Sequence, residues 1–250
     1  MPAKQRRRGS NLGKKIVIIP ARMASNRLPG KPMLEAAGKS LVQWTYEQAK
    51  MTDADHVIVA TGDAEIARHC QETRMIWMLT TSEHPNGTSR VAEVFAKLKP
   101  EVQEQVYTIV NWQVDEPMVE PTDANALMAM RVSSIGTLVC SGPKKFRSAE
   151  YTDEPDAVKV VWSCNHCHWF SRTPMRGAGF HVGLYSFTPF LLRTASMLIP
   201  SRLAKLESLE QLTWLENGLP LKPVEIENLP LSINTSEDWK TFKQLKEQEN

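Results

Sequence analysis

Arg22, Arg27 and Lys31 crowd one short Gly-Pro-rich loop, ARMASNRLPGKPM at 21–33, directly after the apolar run IVIIP at 16–20. Solvated surface cations rarely gather in a loop behind a buried strand, so three of them call for an anion. A phosphate chain needs several cations together with exposed backbone N–H groups, and a nucleoside triphosphate is the first chemistry this loop suggests. The second constellation is NWQVDEP at 111–117, where Asp115 and Glu116 follow the apolar run YTIV. Mg²⁺ binds through one or two carboxylates plus phosphate oxygens, which makes Asp115 the first candidate metal ligand opposite the cations. The plainer reading stands beside it: acids at Asp-Glu-Pro open the next helix, where they favour the first turn.

Both constellations must reach one crevice, and the flanking patterns predict a scaffold that brings them there. Apolar runs at 16–20, 57–60, 75–79, 106–111 and 135–140 alternate with helical patterns at 40–51, 63–73, 88–98 and 122–131. This βα alternation predicts an α/β fold with a mostly parallel, doubly wound (Rossmann-like) sheet, whose ligands bind outside the carboxyl ends of the strands. The polar stretch 142–156 reads as an irregular connection. Strand patterns at 157–162, 168–171 and 180–187 lack long helices between them, which predicts added antiparallel strands. One helix is expected over 203–217, closed by Asn217-Gly218, and a last helix opened by Thr235 with Asp238 completing a capping-box variant.

Composition narrows the partners. Residues 1–15 carry six cations and no acid, leaving 24 basic against 28 acidic residues in the rest of the chain. The body is therefore mildly acidic, and the basic segment reads as a disordered tail over 1–14 ahead of a single domain over 15–250. It interleaves no aromatic residues, so nothing beyond charge favours nucleic acid. Four cysteines among 250 residues give no disulfide framework. With no long apolar run and no signal-peptide pattern, a soluble cytoplasmic protein is expected, with no membrane partner.

At this point several stretches coincide in order and spacing with one family. ARMASNRLPGKPM, EHPNGTSR at 83–90, NWQVDEPM at 111–118, AVKVV at 157–161, FSR at 170–172, HVGLY at 181–185, LESLEQL at 206–212 and INTSEDW at 233–239 resemble the 3-deoxy-manno-octulosonate (KDO) cytidylyltransferases. The resemblance covers nearly everything from residue 15 onward. It implies a single-domain nucleotidyltransferase, usually a homodimer, that uses Mg²⁺ to join CMP from CTP to the anomeric hydroxyl of KDO. Pyrophosphate is released, and the product feeds lipopolysaccharide- or capsule-type glycan synthesis. By position, it implies that Ala21, Arg22 and the Asn86-Gly87-Thr88 turn hold the cytidine, and that Arg22, Arg27 and Lys31 clamp the triphosphate. It implies a sugar-acid pocket of Gln113, Arg172, His181, Tyr185, Glu210 and Gln211, with Arg172 facing the sugar carboxylate, and a metal on Asp115 and Asn234.

Three positions depart from the family pattern. Val114 replaces a glycine before the metal aspartate, Asn234 stands where a second metal aspartate is usual, and Ser89 replaces an acid. An amide oxygen still binds Mg²⁺ but brings no net charge, so metal affinity should fall. These changes keep two other readings open: a weakly active or non-catalytic nucleotide-binding relative, and a transferase for another sugar or base. Separately, Cys164-Asn165-His166-Cys167-His168 has the spacing of a haem-attachment motif or half a zinc site, with distant Cys70 and Cys140 as the other cysteines. It is read here as a hairpin turn between two strands.

Overall fold

A computed structural model describes residues 13–25, 27–130, 133–141 and 157–249. Its first strand, β1 (Lys14–Ala21), is central and covered on both sides. Ile16 and Ile18 enter one core while Val17 and Ile19 enter another, which is why the strand reads as a continuous apolar run. Lys14 pairs with Val106 in the sheet, so the strand begins earlier than the apolar pattern alone indicates. Backbone ladder bonds extend a strand without needing an apolar side chain. The rest of the segment expected as a tail, 1–12, lies outside the described residues.

After β1 the chain makes a 3₁₀ turn (Lys31–Met33) and a small hairpin of β2 (Glu35–Ala36) and β3 (Lys39–Ser40). Gly30 caps the turn at φ 68°, a left-handed conformation that suits glycine. Then follow α1 (Leu41–Lys50), β4 (His56–Thr61), α2 (Ala64–Glu72), β5 (Trp77–Leu79), α3 (Gly87–Lys97), α4 (Pro100–Gln103) and β6 (Val106–Trp112). After these come α5 (Pro121–Ala129), β7 (Ile135–Cys140), β8 (Lys159–Ser163), β9 (His166–Ser171) and β10 (Gly179–Phe187). The connection expected at 142–156 lies outside the described residues. The chain continues through α6 (Pro189–Met197), α7 (Arg202–Glu207), α8 (Glu210–Glu216), β11 (Leu221–Ile226) and α9 (Ser236–Gln248).

The main sheet runs in the order β11-β7-β10-β6-β1-β4-β5, with β8 and β9 hung on β10. β6, β1, β4 and β5 are mutually parallel, and β11 is parallel to β7. β10 runs antiparallel to β6, β7 and β8, and β8 and β9 form an antiparallel hairpin, as the short inter-strand spacing predicts. Helices α3, α6, α7 and α8 cover one face, and α1, α2 and α5 the other. β1 leads to β4 on one side while β6 lies on its other side, so the topological switch point falls between β1 and β6. Their carboxyl ends carry the cationic loop and the Asp-Glu-Pro turn, which is where such sheets hold ligands.

Two expectations are corrected. The helix foreseen over 203–217 is broken at Ser208, which adopts φ 54° and ψ 46°, giving α7 and α8. α6 was not foreseen, although Thr188 caps it by accepting from Leu191 N and Pro189 opens it. The last helix is as expected, since Thr235 and Asp238 form a full capping box. α9 seats Phe242 beside Ala36, Leu41 and Ile233, fixing the segment before it against the β1 side of the crevice.

Candidate active site

Two adjoining cavities, of about 770 Å³ and about 600 Å³, open at the carboxyl ends of β1 and β6 and share Arg22, Arg27, Asn86, Gly87, Gln113 and Asp115. The smaller lobe adds Ala21, Lys31 and His84, and the larger adds His181, Tyr185, Glu210, Gln211 and Asn234. Arg172 borders both. One continuous cleft thus gathers every candidate residue except Thr88. That side chain is fully buried, accepts from Asn111 Nδ2 at 3.0 Å, and leaves the cleft wall to Gly87. A Cβ at Gly87 would lie 2.7 Å from Gln113 Nε2, so a larger residue there would have to displace the Gln113 side chain.

The three cations of the loop are not equivalent. Arg22 and Arg27 are exposed at the cleft mouth, whereas Lys31 is buried. Lys31 Nζ donates to Asp115 Oδ2 at 2.8 Å and to the Ile233 carbonyl at 3.0 Å, tying the loops after β1 and β6 to the segment before α9. Arg27 Nη2 donates to Asn234 Oδ1 at 3.1 Å. Asp115 and Asn234 therefore stand on the same cleft wall, each already neighbouring a cation. Their oxygens form the hard donor set that a divalent ion shares with phosphate, so the residues fit such an ion.

Beside Asp115, Glu116 is buried and both of its oxygens are engaged, Oε1 by Gly183 N at 2.9 Å and Oε2 by Ser232 Oγ at 2.7 Å. Burial, with the Asp115 charge added, pushes its pKa up. Val114 does not disturb this turn. Its side chain is buried in the β1 core, its carbonyl accepts from Thr45 Oγ1 at 2.8 Å, and its φ is not in the positive range that would demand glycine.

In the larger lobe, Arg172 is held from behind. Glu207 Oε2 accepts its backbone N–H at 2.8 Å, the Glu207 carbonyl accepts Nε at 3.0 Å, and the buried Lys159 Nζ donates to the Arg172 carbonyl at 3.0 Å. His181 Nε2 lies 3.0 Å from Thr137 Oγ1, whose proton goes to the Leu184 carbonyl. Nε2 is therefore the protonated nitrogen, and Nδ1 is left as an acceptor. Burial, then the Arg172 charge, lowers the His181 pKa to about 3, so the ring is neutral. His181 stacks on Tyr185 with centroids 5.2 Å apart, and Tyr185 in turn meets Trp214 edge-on at 4.9 Å. Tyr185 Oη donates to Gln211 Oε1 at 3.2 Å, and Gln211 Nε2 is buried with no hydrogen-bond partner.

Sequence reasoning gave no role to the loop that floors the smaller lobe. Arg90, buried on α3, donates to Thr80 Oγ1 and to the carbonyls of Thr81 and Ser82, both at 3.0 Å. Glu93, one turn on, bonds Thr81 N and lies 2.6 Å from His84 Nε2. Burial works to raise the Glu93 pKa, but bonds from Lys97, Thr81 and His84 outweigh it and hold it at about 2. Ser89 Oγ lies 3.1 Å from His84 Nδ1 and donates to the Asn86 carbonyl at 2.9 Å. His84 thus sits between the Glu93 carboxylate and the Ser89 hydroxyl. The signal was present in EHPNGTSRVAE, but its i, i+3 spacing looks like an ordinary helix face.

The Cys-His motif occupies the β8–β9 turn, with Cys164 and Asn165 at φ 49° and 63°. Cys167 points into the core, while His168 Nε2 meets Ser163 Oγ at 2.7 Å and His166 Nδ1 meets the Cys164 carbonyl at 2.9 Å. Among the described residues no three His, Cys, Asp or Glu side chains are gathered to hold a metal.

A doubly wound sheet whose switch crevice carries a cationic loop facing a carboxylate turn suits a nucleotidyltransferase, and comparison with known proteins shows that class. The Cytidylyltransferase family profile matches residues 16–226. The 3-deoxy-manno-octulosonate cytidylyltransferase of Vibrio cholerae is 33% identical over 251 residues, covering 92% of this chain and 96% of that protein. The enzyme of the same name from Thermodesulfovibrio yellowstonii is 35% identical over 245 residues, covering 89% and 94%. The solved structure of CMP:2-keto-3-deoxy-manno-octonic acid synthetase complexed with CTP superposes with a TM-score of 0.83 at 31% identity, covering 95% of this chain and 100% of that one. The chain belongs to the 3-deoxy-manno-octulosonate cytidylyltransferase family.

Proposed function

We propose that this protein transfers CMP from CTP to the anomeric hydroxyl of KDO, or of a closely related acidic sugar, with release of pyrophosphate. The observation that carries this reading is the two-lobed cleft. One lobe has the cations and backbone groups that suit a triphosphate, and the other has a rigidly backed arginine and a ring of neutral hydrogen-bonding groups. Arg172 pairs with the sugar carboxylate, and Gln211 Nε2 and His181 Nδ1 supply a donor and an acceptor for its hydroxyls. The orphan Gln211 amide is costly unless a ligand satisfies it, which favours a polyhydroxylated substrate.

Arg22 and Arg27 face the phosphate chain and Lys31 braces its floor, so charge that spreads over the phosphate oxygens during displacement meets preorganised cations. Ala21, Asn86 and Gly87 bound the nucleoside. A divalent cation, Mg²⁺ by the chemistry of the donors, would be held by Asp115 and Asn234 and would supply further neutralisation of phosphate charge. CTP as substrate points to the cytoplasm, and no described helix is long and apolar enough to cross a membrane.

Pyrophosphate release measured with CTP over a panel of acidic sugars and divalent metals tests the reading. KDO or a near relative should support turnover. Asn234→Asp should keep or raise the rate and lower the metal concentration needed, because a carboxylate binds the cation better than an amide. CTP binding without turnover on any sugar would instead favour a nucleotide-binding relative, and preference for another nucleotide a transferase of different specificity.

A homodimer forms part of the proposal. Phe190, Met197, Ile199 and Leu206 project from α6, α7 and the turn between them with 67 to 82% of each side exposed, an apolar surface suited to a second copy. Sedimentation should give twice the chain mass of 28.2 kDa, and Met197→Glu with Ile199→Glu should shift it to the monomer.

A further inference from the structure

The proposed reaction leaves one proton without a destination. As the anomeric oxygen bonds to the α-phosphorus and the bond from phosphorus to the bridging oxygen breaks, pyrophosphate departs and the attacking hydroxyl must lose its proton. We infer that the carboxylate of Glu210 accepts it, acting as the general base. This inference rests on the transfer reaction proposed above.

Geometry separates Glu210 from the other carboxyl groups on the cleft wall among the described residues. Asp115 is paired with Lys31, Glu116 has both oxygens occupied, and Asp238 Oδ2 accepts the N–H groups of Asn234 and Thr235 as a helix cap. Glu210 is held by Thr88 alone, through its hydroxyl and through its N–H at 3.4 Å from Oε2. Thr88 follows Gly87, which borders both lobes, so the Glu210 carboxyl lies at the seam where sugar and α-phosphate must meet. His181 is a poor competitor because burial keeps it from binding a proton.

The break at Ser208 is what sets Glu210 there. It starts α8 afresh, so Glu210 lies in the first turn of its own helix and points across the cleft toward the start of α3. A chain of bonds fixes the far end: Gln113 Nε2 donates to Asn111 Oδ1 at 2.9 Å, and Asn111 Nδ2 donates to Thr88 Oγ1 at 3.0 Å. With that lone pair engaged, the Thr88 proton is directed to Glu210. Thr88 thereby becomes a positioning residue for the base.

Burial pushes the Glu210 pKa up to about 7, against the opposing pull of the Thr88 hydroxyl and amide. A base poised near working pH is the most effective kind. The charged and titratable groups that line the same cavity are Arg22, Arg27, Asp115, Glu116, Arg172, His181, Tyr185, Lys205 and Asp238. Tyr185 remains a neutral phenol, since burial and the Glu210 charge raise its pKa.

The test is kcat and KM for wild type, Glu210→Gln and Thr88→Val, from about pH 5 to pH 9, with CTP affinity measured separately by calorimetry. Wild-type kcat should rise with pH through an acid limb near the Glu210 pKa of about 7. Glu210→Gln should lower kcat by about 10²- to 10⁴-fold, abolish the limb and leave CTP affinity intact. Thr88→Val removes a bond that favours the ionised form, so the limb should move to higher pH. A Glu210→Gln enzyme that keeps its limb, or that raises only the sugar KM at unchanged kcat, would overturn the assignment, as would a limb unmoved by Thr88→Val. Wild-type inactivity on every sugar acid would remove the proposed reaction and this role with it. Wild-type turnover with an active Glu210→Gln enzyme removes only the role of Glu210.

Discussion

Lys31→Met is expected to reduce pyrophosphate release by about 10²- to 10³-fold, the usual cost of deleting one preorganised cationic donor at a site where charge develops. The loss should fall on kcat more than on CTP affinity, because in the proposed reaction Arg22 and Arg27 still meet the incoming triphosphate. Lys31 Nζ does more than carry charge. It bonds Asp115 Oδ2 and the Ile233 carbonyl at once, so its removal leaves a carboxylate and a buried carbonyl without their donor. Breaking a fully buried pair costs about 3 to 5 kcal/mol. The Asp115 side chain is 26% exposed, so water recovers part of this and about 1 to 3 kcal/mol is expected. Pyrophosphate release and urea unfolding on the same protein measure the two effects. A variant with wild-type kcat and stability would show that Lys31 neither braces the phosphate floor nor joins the three segments.

The second large effect concerns Trp214, which lines neither lobe of the cleft. Its side chain is 1% exposed and meets Tyr185 edge-on at 4.9 Å and Phe187 at 5.5 Å. Trp214→Ala should destabilise the fold by about 3 to 5 kcal/mol, through lost burial and the cavity left behind. The same change should raise the sugar KM, since Trp214 supports the ring of Tyr185, which bonds Gln211. CTP affinity should hold, because the nucleotide lobe is built on β1, β6 and α3. Thermal unfolding and separate KM values for the two substrates test this pairing. Equal losses of CTP and sugar affinity would mean that the lobes are not mechanically separate.

Much of the scaffold was legible because parallel strands buried on both faces announce themselves as short apolar runs between helices. The two chemical loops could be placed together for the same reason, since both follow such strands. α6 escaped because Phe190 and Met197 are exposed apolar residues on its outer face, and they erase the polar-apolar period that marks a helix. The break between α7 and α8 escaped because Ser208 takes a left-handed conformation that serine does not advertise.

In the site, residue types were readable but their pairings were not. Nothing local links Lys31 to Asp115, or His84 to Glu93. The elevated pKa values of Glu116 and Glu210 depend on burial, which sequence spacing does not report. The family resemblance supplied Glu210 as a sugar contact, and only the assembled cleft distinguishes its loosely held carboxyl from those already engaged.

The bond from Lys31 to the Ile233 carbonyl joins residues 202 positions apart. A chain growing from its amino end completes the cationic loop early, yet the brace beneath that loop is among the last parts to be made. Strands β1, β4, β5 and β6 can pair during synthesis, but the Lys31 bond to Ile233 closes only after β11 has formed and α9 has seated Phe242 beside Ile233. Completion of the cleft is thus a late event in the life of each molecule, and a polypeptide cut short before residue 233 would hold the Lys31 ammonium by Asp115 alone.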